Sequence, residues 1–117
     1  MRIAVSAQDG VAVVRLAGEV DMTNADQVHG ALARELEARP RGLVLELAVE
    51  FFDSAGLSVL VAVNRLAAES GVAFGVVASE RAARQPIEMT GLHELLTMFA
   101  DVPTAVGAFT PASSATE

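Results

Sequence analysis

The chain has 117 residues, of which 52% are hydrophobic, and its formal net charge is −7 at pH 7. This length is enough for one domain with a buried core and too short for two. The net negative charge argues against a nucleic-acid partner, and the absence of cysteine excludes disulfides, thiolate chemistry and cysteine-based zinc sites. No apolar run resembles a signal peptide or approaches the length of a membrane span, so we expect a cytoplasmic protein with no membrane partner.

The first third of the chain predicts a β-hairpin followed by a helix. Two strand-like runs, Arg2–Ser6 and Val11–Leu16, flank the turn dipeptide Asp9-Gly10. Thr23 with Asp26 three residues later approximates a capping box at a helix start. Apolar residues then recur at helical spacing to about residue 38, namely Ala25, Val28, Leu32 and Leu36.

The rest of the chain alternates strands and helices. Leu43–Leu47 is apolar apart from Glu46, which is typical of a central parallel strand. The remaining predicted elements are a helix from Ala55 to about Glu69, a strand at 72–77, a helix from a Ser79 cap to Thr90 that Pro86 kinks or delays, a C′ glycine at Gly91, a short strand at 98–100 and a short helix at 104–109. Residues 110–117 are small and polar, and we expect a disordered tail. This order favours right-handed β-α units on a largely parallel sheet.

Ser54 follows the predicted central strand, where the chain turns into the next helix. A serine in this place can cap the helix, its hydroxyl accepting a backbone N–H bond that stabilises the helix by roughly 1 kcal/mol. It can instead accept a phosphate, which would meet free N–H groups and the positive end of the helix dipole. Local chemistry alone favours the cap.

The helix after Ser54 carries more apolar surface than packing on a sheet requires. Leu57, Leu60, Val61, Ala67 and Ala68 form one stripe, and a second stripe, nearly opposite, contains Val59, Val63 and Leu66. The second stripe is either buried between the sheet and a neighbouring helix or forms a partner-binding patch beside Ser54. The sequence favours neither alternative.

Acidic residues cluster near the predicted strand ends without a catalytic arrangement around them. Carboxylates there can supply acid–base catalysis or bind a metal, but solvated charges at loop ends are far more common; the residues are Glu19, Asp21, Asp26, Glu50 and Asp53. A serine hydrolase would need Gly-x-Ser-x-Gly, and Phe52 occupies the first glycine position. No glycine-rich nucleotide loop is present either. We therefore expect no enzyme, no metal site and no cofactor.

Three short motifs, in matching order and spacing, resemble the STAS domain family over residues 3 to about 109. Asp53-Ser54-Ala55-Gly56-Leu57 resembles the phosphorylation loop of that family. Gly18-Glu19-Val20-Asp21 resembles its Gly-Glu-hydrophobic-Asp motif, and Thr90-Gly91-Leu92 resembles the end of its third helix. The resemblance implies an α/β STAS fold over residues 1–109, with a mixed, mostly parallel sheet, an N-terminal β-hairpin and right-handed β-α units.

Within that family the chain is most similar to the anti-sigma factor antagonists, which implies a partner-switching function. The unphosphorylated form would bind an anti-sigma factor that is also a serine kinase and would thereby release a sigma factor. That kinase would use its own ATP to phosphorylate Ser54, and a serine phosphatase would reverse the step. The implied partner contacts are Glu19, Asp21, Asp53, Ala55, Gly56 and Leu57, to which the second helix stripe adds Val59 and Val63. Alternatives are an accessory STAS subunit of a lipid or anion transporter and a small hydrolase using Ser54.

Overall fold

The computed structural model describes residues 1–111, which form five strands and five helices. In chain order the elements are β1 (Arg2–Gln8), β2 (Val11–Val20), α1 (Ala25–Glu37), β3 (Gly42–Phe52), α2 (Ser54–Ser70), β4 (Ala73–Val77), α3 (Arg81–Met89), α4 (Leu92–Leu95), β5 (Thr97–Phe99) and α5 (Val102–Phe109). The sequence predicted each of these except α4, a single turn after Gly91. Most of the predicted disordered tail, residues 112–117, lies outside the described residues.

All five strands form one mixed sheet in the order β1-β2-β3-β4-β5. β1 runs antiparallel to β2, and the other neighbours pair in parallel. The turn between β1 and β2 places both Asp9 (φ 54°) and Gly10 (φ 82°) in the left-handed region, as a two-residue hairpin turn requires. The α/β fold with an N-terminal hairpin followed by β-α units is confirmed.

β2 and β3 both extend beyond their predicted ends. Gly18, two residues beyond the predicted end of the second strand at Leu16, has a φ of 97° and belongs to a β-bulge. The bulge places Gly18 opposite Val49 and Glu19 opposite Phe51, after which pairing continues. The last pair joins Val20 to Phe52, so β2 and β3 end side by side.

The core lies on both faces of the sheet. On one face, α1, α2 and α3 cover the fully buried side chains of β3, Leu43, Leu45 and Leu47. On the other face, α5 packs through Ala105 and Val106 against the strand residues Val11, Val13, Val44 and Val77. Glu46 lies on this second face, where its carboxylate is 3.6 Å from the Nε of Arg15 on β2. The cross-strand pair explains a charged residue in a central strand.

Two predicted helix caps are wrong. The N-cap of α1 is Asn24, and no side chain caps this helix; Thr23 donates instead to the carboxylate of Asp21. α3 begins at Arg81 with Glu80 as its N-cap, so Ser79 does not cap it, and Pro86 lies inside the helix without delaying its start. The predicted end of α3 is confirmed, because Gly91 follows it in the left-handed conformation (φ 77°).

Candidate functional site

Ser54 is the first residue of α2, and Asp53 is its N-cap. The Asp53 carboxylate accepts hydrogen bonds from the backbone N–H of Ala55 (2.9 Å) and of Gly56 (3.4 Å). Ser54 is exposed, and its hydroxyl makes no hydrogen bond with any residue in the described range 1–111. The alternative that Ser54 caps the helix is therefore wrong, and its Oγ faces solvent.

Gly56 fixes the path of the chain immediately after Ser54. It is buried, and a Cβ added to it would lie 2.7 Å from Cε1 of Phe52, the last residue of β3. The first turn of α2 therefore rests on the Phe52 ring at a distance that only glycine permits. Gly56 was predicted as a partner contact; in the folded domain it is buried and packs against Phe52 below the loop, and its contact with a partner stays a prediction.

The acidic motif at the end of β2 lies beside the start of α2. The backbone N–H of Asp53 donates to the carbonyl of Val20 (3.4 Å), which joins the two strand ends. Asn24 holds the acidic loop together: its side chain donates to the carbonyl of Glu19 (2.9 Å) and accepts the N–H of Asp21 (3.1 Å). The structure thus brings Glu19 and Asp21 to the same edge of the sheet as Ser54.

Asp21 is held in its charged form by its neighbour in this loop. The side-chain hydroxyl and then the backbone N–H of Thr23 donate to its carboxylate, and both bonds lower the pKa of Asp21. The edge beside Ser54 therefore carries a fixed negative charge.

Val59 and Val63 belong to the core. Their exposed fractions are 8% and 0%, and Leu66 is packed against the same cluster. This side of α2 faces the sheet and α1, which covers it. Val63 has no exposed surface, so for this residue the structure selects burial. Val59 keeps a small exposed area, and its predicted partner contact stays a prediction.

The exposed surface of α2 is a line of small residues that begins at Ser54. Ser58 and Ala62 follow it at intervals of four residues, and all three are exposed. We call these three residues the α2 ridge. Residues of this spacing share one face of a helix, so the signal was present in the sequence, but the two flanking apolar stripes obscured it.

A shallow groove runs along each side of the α2 ridge. The groove on the α3–α4 side, of about 470 Å³, is floored by Leu57, Val61 and Leu92. The groove on the α1 side, of about 380 Å³, is lined in part by Met22 and Ala55. Leu57 and Ala55, both predicted partner contacts, are half-buried and thus remain accessible from these grooves.

Two exposed methionines were missed by sequence reasoning, and the first of them lines the groove on the α1 side. Met22, which follows the acidic motif, is 82% exposed, and Met89, at the end of α3, is 78% exposed. Each is a single residue in or beside a loop, so no periodicity could mark it. Flexible, exposed methionines are common on protein-binding surfaces.

Residues 1–111 contain no group of three His, Cys, Asp or Glu side chains that could hold a metal ion. No helix in the described part of the chain is long and apolar enough to cross a membrane.

The fold and the serine-bearing loop define the class of the protein: the chain belongs to the STAS domain family, whose model matches residues 2–105. It is 35% identical over 105 residues to the anti-sigma-F factor antagonist RsfB of Mycobacterium tuberculosis, an alignment that covers 89% of this chain and 85% of the relative. The crystal structure of an anti-sigma factor antagonist from Mycobacterium paratuberculosis is similar to it with a TM-score of 0.87 and 35% identity over 94% of each chain.

A more distant solved structure shares the fold alone. The anti-sigma factor antagonist SpoIIAA in its unphosphorylated form is 15% identical, with a TM-score of 0.72 over 92% of this chain and 95% of that one. The resemblance read from the three motifs is confirmed at the level of the family and the fold.

Proposed function

We propose that this protein is an anti-sigma factor antagonist that phosphorylation of Ser54 switches off. The observation that carries the proposal is the exposed hydroxyl of Ser54 at the start of α2, which its neighbour Asp53 leaves without a capping role. The names of the relatives at 35% identity support an anti-sigma factor as the binding partner. The partner is also a serine kinase that supplies its own ATP, its binding releases a sigma factor, and a serine phosphatase restores the active form.

The partner-binding surface in this proposal is the α2 ridge with its two grooves. Leu57 and Val61 offer half-buried apolar area in one groove, and Met22 offers an exposed thioether beside the other. Glu19 and Asp21 form an acidic rim at one end. A partner with apolar side chains for the grooves and basic residues for the rim matches this surface.

The grooves on either side of Ser54 offer the phosphate no nearby arginine. The phosphate carries about −1.5 to −2 charges at pH 7, and it stands next to the carboxylate of Asp53. Arg65, the basic residue of the adjoining groove, lies three turns further along α2, about 16 Å away along the helix axis. Without an arginine to pull the phosphate into a new contact, the fold stays as it is.

The same phosphate would act strongly at an interface. The N–H groups of Ala55 and Gly56, which could otherwise bind it, already donate to Asp53. A docked partner would have to desolvate the added charge without a compensating donor from this chain, and the added bulk would separate the surfaces. Binding is lost while the domain remains folded.

Mass spectrometry after incubation with the candidate kinase and ATP tests the proposal. Ser54→Ala should abolish phosphate incorporation, and Ser6→Ala, an exposed serine of β1 outside the α2 ridge and its grooves, is the control and should be labelled as the parent is. Undiminished labelling of Ser54→Ala would remove the basis of the switch.

A further inference from the structure

A further concave site lies at the carboxyl ends of β4 and β5. None of the residues that line it belongs to the α2 ridge. Its volume of about 450 Å³ lies within the range of small-molecule sites, roughly 300–1,000 Å³. Its apolar lining includes Ile87 of α3, which is fully buried, and Met98 and Phe99 of β5, which are half-buried. We call this site the β4–β5 crevice.

The crevice follows from the topology of the sheet. After β4 the chain continues into α3, which packs on one face through Ala83 and Ile87. After β5 it continues into α5, which packs on the opposite face through Ala105 and Val106. Neighbouring parallel strands whose connections leave to opposite faces open a crevice beyond their carboxyl ends, and this is where open α/β sheets bind their ligands.

The polar lining of the crevice contains a guanidinium without an anionic partner. Nη1 of Arg84 donates to the carbonyl of Ser79 (3.2 Å), which holds the side chain at the end of β4. No carboxylate within residues 1–111 lies within 4 Å of Arg84, although the chain has a net charge of −7. The remaining N–H donors of a guanidinium form a planar fork that fits a carboxylate.

Two further side chains limit the ligand. His93 of α4 lines the crevice and offers a second nitrogen donor or acceptor. Glu88, one turn after Arg84 on α3, also lines it and is exposed. Its carboxylate repels a dianion more strongly than a monoanion, so phosphate monoesters and nucleotides fit the crevice less well than a monocarboxylate does.

We propose that the β4–β5 crevice binds a small monocarboxylate with a compact apolar body. The carboxylate lies on the guanidinium of Arg84, and the apolar body packs against Met98, with Ala78 and Ala100 beside it. This site is independent of the proposed phosphorylation switch, because none of its residues is needed for the modification of Ser54.

An NMR titration of the full chain with three probes that share one aromatic body tests the charge requirement. Backbone amide shifts are followed with 3-phenylpropanoate, 2-phenylethylamine and phenyl phosphate. We expect 3-phenylpropanoate to give saturable shifts at the amides around Ser79, Arg84 and Ala100, the amine to give none there, and phenyl phosphate to bind more weakly than the carboxylate. The absence of saturable shifts with the carboxylate, equal binding of the amine, or tighter binding of the phosphate would each overturn the proposal.

Variants place the ligand in the crevice. Arg84→Gln should weaken 3-phenylpropanoate binding by at least about tenfold, since a charge-assisted hydrogen bond is lost. Arg34→Gln, an exposed arginine in the last turn of α1, is the matched control and should leave the affinity unchanged. Ala100→Leu, which fills the crevice from an exposed position, should abolish binding while the amide spectrum shows a folded domain. Unchanged affinity of both Arg84→Gln and Ala100→Leu would place the ligand elsewhere and would refute this assignment.

Discussion

The carboxylate of Asp53 accepts the backbone N–H of Ala55 at 2.9 Å, and this bond closes the start of α2 without the help of Ser54. Asp53 and Ser54 are neighbours that are each suited to cap a helix, and in this structure they have different roles. Asp53 stabilises the helix, and Ser54 presents its hydroxyl to solvent. A change at Ser54 can therefore alter the proposed phosphorylation without removing the cap that stabilises the loop.

Replacement of Asp53 tests these different roles first on stability. Asp53→Ala removes the cap, and we expect a loss of about 0.5–2 kcal/mol in the free energy of unfolding, measured by urea denaturation. Asp53→Asn is the control, because asparagine caps as well as aspartate but carries no charge. The Asp53→Asn variant should keep the free energy of unfolding of the parent. If both variants lose the same free energy, the negative charge and not the cap geometry stabilises the loop.

A charge at position 54 should weaken partner binding without weakening the fold. Ser54→Asp places a carboxylate beside Asp53 at the proposed interface, and we expect an affinity about tenfold lower or worse in isothermal titration against the anti-sigma factor. Its melting temperature should not fall, since an acidic residue in the first turn of a helix is favourable. Ser54→Ala should bind as the parent does; equal affinities of the Ala and Asp variants would argue against an electrostatic switch.

Two adjacent positions of α2 separate core from surface. Val63 is fully buried, so Val63→Glu buries an unpaired carboxylate, and we expect a loss of about 4 kcal/mol or more, or failure to fold. Ala62 is exposed on the α2 ridge, so Ala62→Glu should melt as the parent does and lose affinity for the anti-sigma factor. Thermal melting and titration are run on both. A stable Val63→Glu domain, or an Ala62→Glu domain with full affinity, would contradict the assignment of that face.

Two glycines of the helices should respond to alanine in opposite directions. A Cβ at Gly56 would lie 2.7 Å from the buried ring of Phe52, so Gly56→Ala should cost about 1–3 kcal/mol of stability. Gly30, within α1, has no atom within 4 Å of such a Cβ, so Gly30→Ala should stabilise by about 0.5–1 kcal/mol. Denaturation midpoints of both variants provide the measurement. A neutral Gly56→Ala would show that Phe52 can move aside and that the loop is less constrained than its packing indicates.

Local sequence signals were sufficient to predict turns and helix ends that depend only on the conformation of the residues concerned. Asp9-Gly10 forms the hairpin turn because both residues adopt the left-handed conformation that the turn demands. Gly91 ends α3 for the same reason. The alternation of strands and helices was likewise sufficient for the fold class, since only a few topologies satisfy it.

Outcomes that depend on distant parts of the chain were not accessible to the same reasoning. Gly18 has the signature of a strand end, yet β2 continues because pairing with β3 absorbs the extra residue in a bulge. The stripe at Val59 and Val63 has helical periodicity, but only the position of α1 shows that it is covered. The β4–β5 crevice arises because α3 and α5 pack on opposite faces of the sheet, and no local sequence pattern predicts on which face a helix packs.

The position of Ser54 within the first turn of α2 would have a consequence for its recognition by the proposed kinase. The residues that precede it end a strand, and those that follow it are wound into a helix from the outset. The flanking residues are therefore displayed in three dimensions and not as an extended linear motif. An enzyme that modifies this hydroxyl reads the assembled shape of the folded domain, and a short synthetic peptide containing the same letters would lack the surface that makes it a substrate.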